Sequence, residues 1–140
     1  QNLLWDEPRT LFISMHQMPL YPGTGFSTDI GAHNNIINVP LNSGSSGTEA
    51  TSAFESIVLP RLKSFRPEFI LISAGFDAHA HDPLANLNWT NEDFGQITKI
   101  ALQLAKEYCD NQVVSCLEGG YNLKALTESV AIHVRALMEA

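Results

Sequence analysis

Phe69 to Leu84 reads FILISAGFDAHAHDPL. Its first four residues, Phe69, Ile70, Leu71 and Ile72, are an apolar run too short for a helix. Such a run predicts a parallel strand buried on both faces. Ser73, Ala74 and Gly75 then shrink the side chains, so another group can approach the backbone. Asp77, His79, His81 and Asp82 follow at once. Four groups able to ligate a metal or move a proton therefore stand at the carboxyl end of a strand, where open α/β sheets place their sites. If the segment stays extended, Asp77, His79 and His81 share a side. The same residues also have a plain structural reading. An Asp after a strand caps a turn, and Asp82-Pro83 is a turn former. On that reading His79 and His81 support a site or lie on the surface.

Outward from this stretch the chain alternates strands and helices. Upstream, Leu3 to Trp5 reads as a helix end and Thr10 to Met15 as a strand ending at His16. Pro19, Pro22, Gly23 and Gly25 make Gln17 to Ile30 a loop, in which Tyr21 to Gly25 is a rigid turn presenting one aromatic ring. Asn35 to Val39 is a short strand stopped by Pro40. Thr48 or Thr51 caps a helix whose apolar positions are Ala50, Ala53, Phe54, Ile57, Val58 and Leu62, with Pro60 kinking or ending it. Downstream, Thr90 or Asn91 caps a helix with Glu92 and Asp93 in its first turn and an apolar face from Phe94 to Ala105. Asp110-Asn111 is a turn, Gln112 to Leu117 a strand, and Leu123 to Met138 a helix with Leu126, Val130, Val134 and Leu137 inside. This order predicts an α/β fold with a parallel sheet.

Glu118-Gly119-Gly120-Tyr121-Asn122 also follows a strand directly. The two glycines permit tight geometry and close approach of a ligand. A tyrosine at the mouth of a sheet can donate its hydroxyl to a developing oxyanion. The competing structural reading packs its ring against the following helix. A phosphate loop is disfavoured, since GxGxxG is absent.

The totals set limits. The chain has 140 residues, 44% apolar and 16% charged, with a net charge of −7. That is enough for one domain with a core. Its acidity argues against a nucleic-acid partner and is compatible with a cationic substrate. Cys109 and Cys116 have no CxxC spacing, and Cys116, inside an apolar run, is expected to be a buried reduced thiol. No membrane span or signal peptide is visible, which predicts a cytoplasmic protein without membrane partners. Gln1 has no leader character, so residues 1–140 read as a fragment or a processed product.

Taken in order, Ile13-Ser14-Met15-His16, Tyr21-Pro22-Gly23-Thr24-Gly25, Asn38-Val39-Pro40, Ser73 to His79 with Asp82-Pro83-Leu84, and Glu118 to Leu123 resemble the second half of the histone deacetylase superfamily. The nearest flavour is the class II-like bacterial branch, with its histone deacetylase-like amidohydrolases, acetylpolyamine amidohydrolases and acetoin-utilisation proteins. The resemblance covers essentially the whole chain. It implies a three-layer, open, mainly parallel sheet with flanking helices, shared with arginases and incomplete here, residues 1–140 being the carboxy-terminal portion of a single domain. It also implies a Zn²⁺-dependent deacylase acting on acetylated lysine or an acetylated polyamine. In it Asp77 is one zinc ligand and Tyr121 the oxyanion donor. Tyr21, Leu84, Gly119 and Gly120 line the substrate path, and Ser14 with the Met15 carbonyl forms part of a monovalent-cation (K⁺) site. The other two zinc ligands and the catalytic histidine pair of the family do not occur in this chain, and the resemblance does not supply His79 and His81 as substitutes. Three readings result: part of a zinc deacylase, inactive by itself; an inert truncated or processed module; or a small doubly wound ligand-binding domain. On the first, an uncovered sheet edge and apolar helix faces bind the missing amino-terminal half or a second copy.

Overall fold

A computed structural model describes residues 1–139. After a single 3₁₀ turn at Asn2–Leu4, β1 (Phe12–Gln17) pairs in parallel with β2 (Ile36–Leu41), Phe12 opposite Ile36 and Gln17 opposite Leu41. β2 runs one residue past Pro40, contrary to the expectation that Pro40 stops it. Among the described residues its bonded neighbour is β1 alone. A proline on a strand with a free edge removes no ladder bond there.

The first helical region starts at neither Thr48 nor Thr51. Ser46 is the cap: its hydroxyl accepts the Glu49 N–H at 3.3 Å, and the Glu49 carboxylate accepts the Ser46 N–H at 2.7 Å. α1 (Gly47–Ala53) then widens into a π-helical segment at Phe54–Val58 and continues as α2 (Leu59–Phe65). The wide turn lies just before Pro60, which has no N–H to return to the preceding turn, so the helix passes through Pro60 instead of ending there. Arg66, left-handed at φ 54°, stops it before Pro67.

β3 (Ile70–Ala74) and β4 (Val113–Leu117) form a second parallel pair, Ile70 opposite Val113 and Ala74 opposite Leu117. Phe69 lies outside β3 and is exposed. The strand is not buried on both faces: Ile70, Ile72 and Ala74 turn inward, whereas Leu71 is 64% exposed and Ser73 is exposed. Cys116, opposite Ser73, is exposed on that same open face, correcting the expectation of a buried thiol. The buried thiol is Cys109, which donates to the Pro67 carbonyl at 3.0 Å. Low polarity around it pushes its pKa up.

α3 (Asn91–Tyr108) begins at Thr90, whose N–H donates to the Asp93 carboxylate at 2.7 Å. α4 (Leu123–Met138) begins at Asn122, whose Oδ1 accepts the Ala125 N–H at 3.0 Å. The buried side of α4 is Ala125, Ser129, His133 and Ala136, while Val134 is exposed. Small residues win because α3 and α4 pack closely: a Cβ on Gly95 would lie 2.6 Å from Ile132. The core joins Val39, Phe54, Val58, Phe76, Trp89, Phe94 and Leu104 between strands and helices. No helix among the described residues is long and apolar enough to cross a membrane.

Candidate functional site at the strand ends

β3 and β4 are parallel neighbours, so the segments that follow them leave from the same end of one sheet. They are zipped together. Glu118 N–H donates to the Ala74 carbonyl at 3.0 Å and Phe76 N–H to the Gly119 carbonyl at 2.8 Å. After Phe76 the chain turns, with His79 N–H on the Phe76 carbonyl and Asp82 N–H on the His79 carbonyl. The segment therefore does not stay extended, so the alternation expected of Asp77, His79 and His81 does not apply; the turn instead brings the His79 and His81 ring centroids to 5.1 Å of each other. His79 is buried, stacked on Phe94, and its Nδ1 accepts the His81 N–H at 3.0 Å. His81 is exposed. The His79 ring and the His81 backbone N–H serve the turn.

The Asp77 carboxylate lies close against two glycines. A Cβ on Gly119 would lie 2.6 Å from Asp77 Oδ2, and one on Gly75 3.1 Å from Oδ1. The carboxylate is partly buried. Desolvation raises its pKa above the usual carboxylate range; the nearby Asp82 charge adds to the rise, and a hydrogen bond from its own backbone opposes it. Among the described residues the single ion pair is Arg9–Glu7, so no cationic side chain compensates Asp77.

Asp82 closes the other side of the turn. Its Oδ1 accepts the N–H groups of Leu84 at 2.9 Å and Ala85 at 3.3 Å, and its Oδ2 accepts the Tyr121 N–H at 2.8 Å. Asn122 Nδ2 donates to the His81 carbonyl at 3.1 Å. Tyr121 follows Gly120 (φ 137°) and is 56% exposed, so it is not the buried tyrosine of the structural reading. Leu84, whose N–H is held by Asp82, is exposed at the far end of the turn.

A second group of residues lies on β1 and β2 and in the loop that follows β1. Ser14, His16, Tyr21, Gly25 and Asn38 line a cleft of about 200 Å³. His16 Nε2 must carry its proton, because its partner is the Gly25 carbonyl at 3.0 Å. Nδ1 then accepts the Ser14 hydroxyl at 2.9 Å. Tyr21 is 94% exposed, Met15 packs on the core, and Asn38 Oδ1 is buried without a partner. A larger hollow of about 440 Å³ runs along β2 between Ile30, Ile57 and Arg61. Neither hollow is lined by Asp77 or Tyr121. The two groups are tied at one end of the molecule by Gln17, whose Oε1 accepts the Asn86 N–H at 2.7 Å, but they do not close one pocket.

His133 was not anticipated. Thr98 Oγ1 donates to the Phe94 carbonyl at 2.6 Å, so it must accept from His133 Nδ1 at 2.7 Å. Nε2 then accepts the Ser115 hydroxyl at 2.8 Å. This buried imidazole ties α3, α4 and β4 beneath Phe76, and desolvation lowers its pKa. In the sequence it is one polar residue on an otherwise apolar helix.

One carboxylate in a glycine cradle fits the role of a metal ligand. Among the described residues, however, no three His, Cys, Asp or Glu side chains converge on a metal position. The described residues thus fall short of the three protein ligands that a catalytic zinc site needs.

Parallel strands whose carboxyl ends carry an uncompensated carboxylate and a free-standing tyrosine define an open α/β protein with a strand-end site. The histone deacetylase domain matches residues 1–137. The chain is 44% identical over 136 residues to histone deacetylase 14, chloroplastic, of Arabidopsis thaliana, covering 95% of this chain and 32% of that protein. It is 40% identical over 140 residues to histone deacetylase 10, chloroplastic, of Oryza sativa subsp. japonica, covering 98% and 32%. The crystal structure of the HDA15 HD domain superposes with a TM-score of 0.91 at 32% identity, over 99% of this chain and 40% of that one. The chain belongs to the histone deacetylase family, and its fold is the deacetylase fold in part. It spans about a third of the length of these curated relatives.

Proposed function

We propose that this chain provides the Asp77–Tyr121 side of the active site of a zinc-dependent deacylase that hydrolyses acetyl-lysine or an acetylated amine. The observation that carries the reading is Asp77: a partly buried carboxylate without a cationic partner, fitted against Gly75 and Gly119 at the strand end that also presents Tyr121. Zinc, when bound, supplies a Lewis acid for the amide carbonyl and a water of lowered pKa.

The chain's own residues have separate tasks. Asp77 contributes one anionic ligand. Tyr121, its hydroxyl at an exposed edge, donates a hydrogen bond to the substrate oxygen that strengthens as negative charge develops. Gly119 and Gly120 keep the backbone low beneath the acyl group, while Tyr21 and Leu84 flank the entry of the aliphatic stem. Ser14 and the Met15 carbonyl join a K⁺ site. The net charge of −7 draws a cationic amine product or substrate toward the protein.

A second reading rests on the ligand count: by itself the 140-residue chain is inert, because one carboxylate does not hold catalytic zinc. Both readings meet one experiment. Bound zinc and turnover of an acetyl-lysine peptide are measured on the 140-residue chain, on the full-length gene product, and on full-length Asp77→Asn. The expected result is stoichiometric zinc and turnover in the full-length protein alone. Normal zinc content and turnover in Asp77→Asn rejects the ligand role, and turnover by the short chain rejects its inertness.

A further inference from the structure

A tyrosine hydroxyl is placed only as well as the backbone that carries it. Tyr121 follows two glycines, one at φ 137°, so its segment has little stiffness of its own. More than half its surface is exposed, so packing does not hold the ring either. The bond made by its own backbone N–H is to Asp82.

Asp82 is suited to fix that backbone. Its Oδ1 is anchored by Leu84 and Ala85 within its own turn, leaving Oδ2 aimed across at Tyr121. The turn is itself braced: His79 is buried and takes the His81 N–H, and Asn122 reaches back to the His81 carbonyl. A charged acceptor fixed at one oxygen and bonded at the other makes a short, directional strut between the two strand-end loops.

We infer that Asp82 is a positioning residue for Tyr121, acting on the proposed reaction through the tyrosine backbone and not by touching substrate. The inference rests on the deacylase reading above. Asp82 also lies close enough to Asp77 for their charges to interact, so a second route, through the metal ligand, has to be told apart.

The test uses the full-length protein, an acetyl-lysine peptide and four variants: Asp82→Ala, Asp82→Asn, Tyr121→Phe, and Asp82→Asn combined with Tyr121→Phe. Asp82→Asn keeps the size of the side chain and one acceptor oxygen, so it remains informative if Asp82→Ala does not fold. The expected result is a kcat reduced about a hundredfold in Asp82→Ala, the scale of a misplacement of about 1 Å. Asp82→Asn should be reduced less, with KM and bound zinc nearly unchanged in both. The double variant should be no slower than Tyr121→Phe alone, because a strut has nothing to position once the hydroxyl is gone. A normal kcat in Asp82→Asn and Asp82→Ala, with Tyr121→Phe impaired, overturns the inference and leaves the deacylase reading standing. Independent, multiplying losses in the double variant also overturn it. Loss of zinc in Asp82→Asn does so too, by moving the effect to Asp77. A normal kcat in Tyr121→Phe overturns both.

Discussion

Gly119→Ala is the sharpest probe of the Asp77 site, because the structure fixes what the added methyl meets. An ideal Cβ at this position lies 2.6 Å from Asp77 Oδ2 and 2.9 Å from its Cγ, whereas ordinary van der Waals contact begins at 3.4 Å. Asp77 must move by most of an ångström. The glycine itself is not in the left-handed region, so alanine adds no backbone strain. Indeed the substitution removes freedom from the unfolded chain, which favours folding by about 0.4–1 kcal/mol where the native conformation tolerates it. Against this stands the steric push on a short side chain with few rotamers, which costs on the order of 1 kcal/mol if the carboxyl leaves its staggered position. The two effects nearly cancel, so the melting temperature of the metal-free protein should barely change. Metal coordination tolerates errors of about 0.2 Å, and disturbing the support of a ligand lowers affinity by about 10–100-fold. The full-length Gly119→Ala protein should therefore fold normally and bind zinc about 10–100-fold more weakly by competition with a chromogenic chelator. Unchanged zinc affinity would show that displacing the Asp77 carboxylate does not matter to the metal, and the ligand assignment would fall with it.

Tyr121→Phe in the full-length protein should lower kcat by roughly a hundred- to a thousandfold and leave zinc content and melting temperature nearly intact, since the exposed hydroxyl has no buried partner to lose; a kcat near wild type removes the oxyanion role. Asp77→Asn should lose zinc, measured by metal analysis, where Tyr121→Phe does not. Burial lowers the His133 pKa in the folded state, so between about 6.5 and that lower value the unfolded chain holds a proton the folded one lacks. Stability should be unaffected by this group above pH 6.5 and fall as pH drops below it, by up to about 1.4 kcal/mol per pH unit; the melting temperature of His133→Gln should fall less steeply from pH 7 to 5, and equal slopes would refute this. The exposed face carrying Leu71 and Val114, register partners on β3 and β4, should make the isolated 140-residue chain associate; a clean monomer by light scattering at high concentration argues against it.

The parts of this molecule legible in its sequence are those written locally. α3 and α4 announce themselves by periodicity, and α3 also by Thr90 at its start. Asp77 and Tyr121 announce themselves by following apolar runs through glycine. The family's motifs lie in the same stretches, because loops at strand ends are where spacing constrains chemistry. What the sequence hides is decided by neighbours distant along the chain. Nothing in FILI distinguishes a strand covered on both faces from one covered on a single face; that depends on what else packs against Leu71 and Cys116, and in the described residues both are open. Ranking α4 positions by hydrophobicity selects Val134 and misses His133, since the deciding quantity is how closely α3 approaches, and Gly95 sets that from a different element. Asp82 is the most instructive case. Asp-Pro correctly signals a turn, and Oδ1 does cap it, but the second oxygen is spent on Tyr121, 39 residues away. A local motif records one half of that carboxylate's work. The other half exists only once β3 and β4 lie side by side, and it is there that a turn residue comes to hold a tyrosine in place.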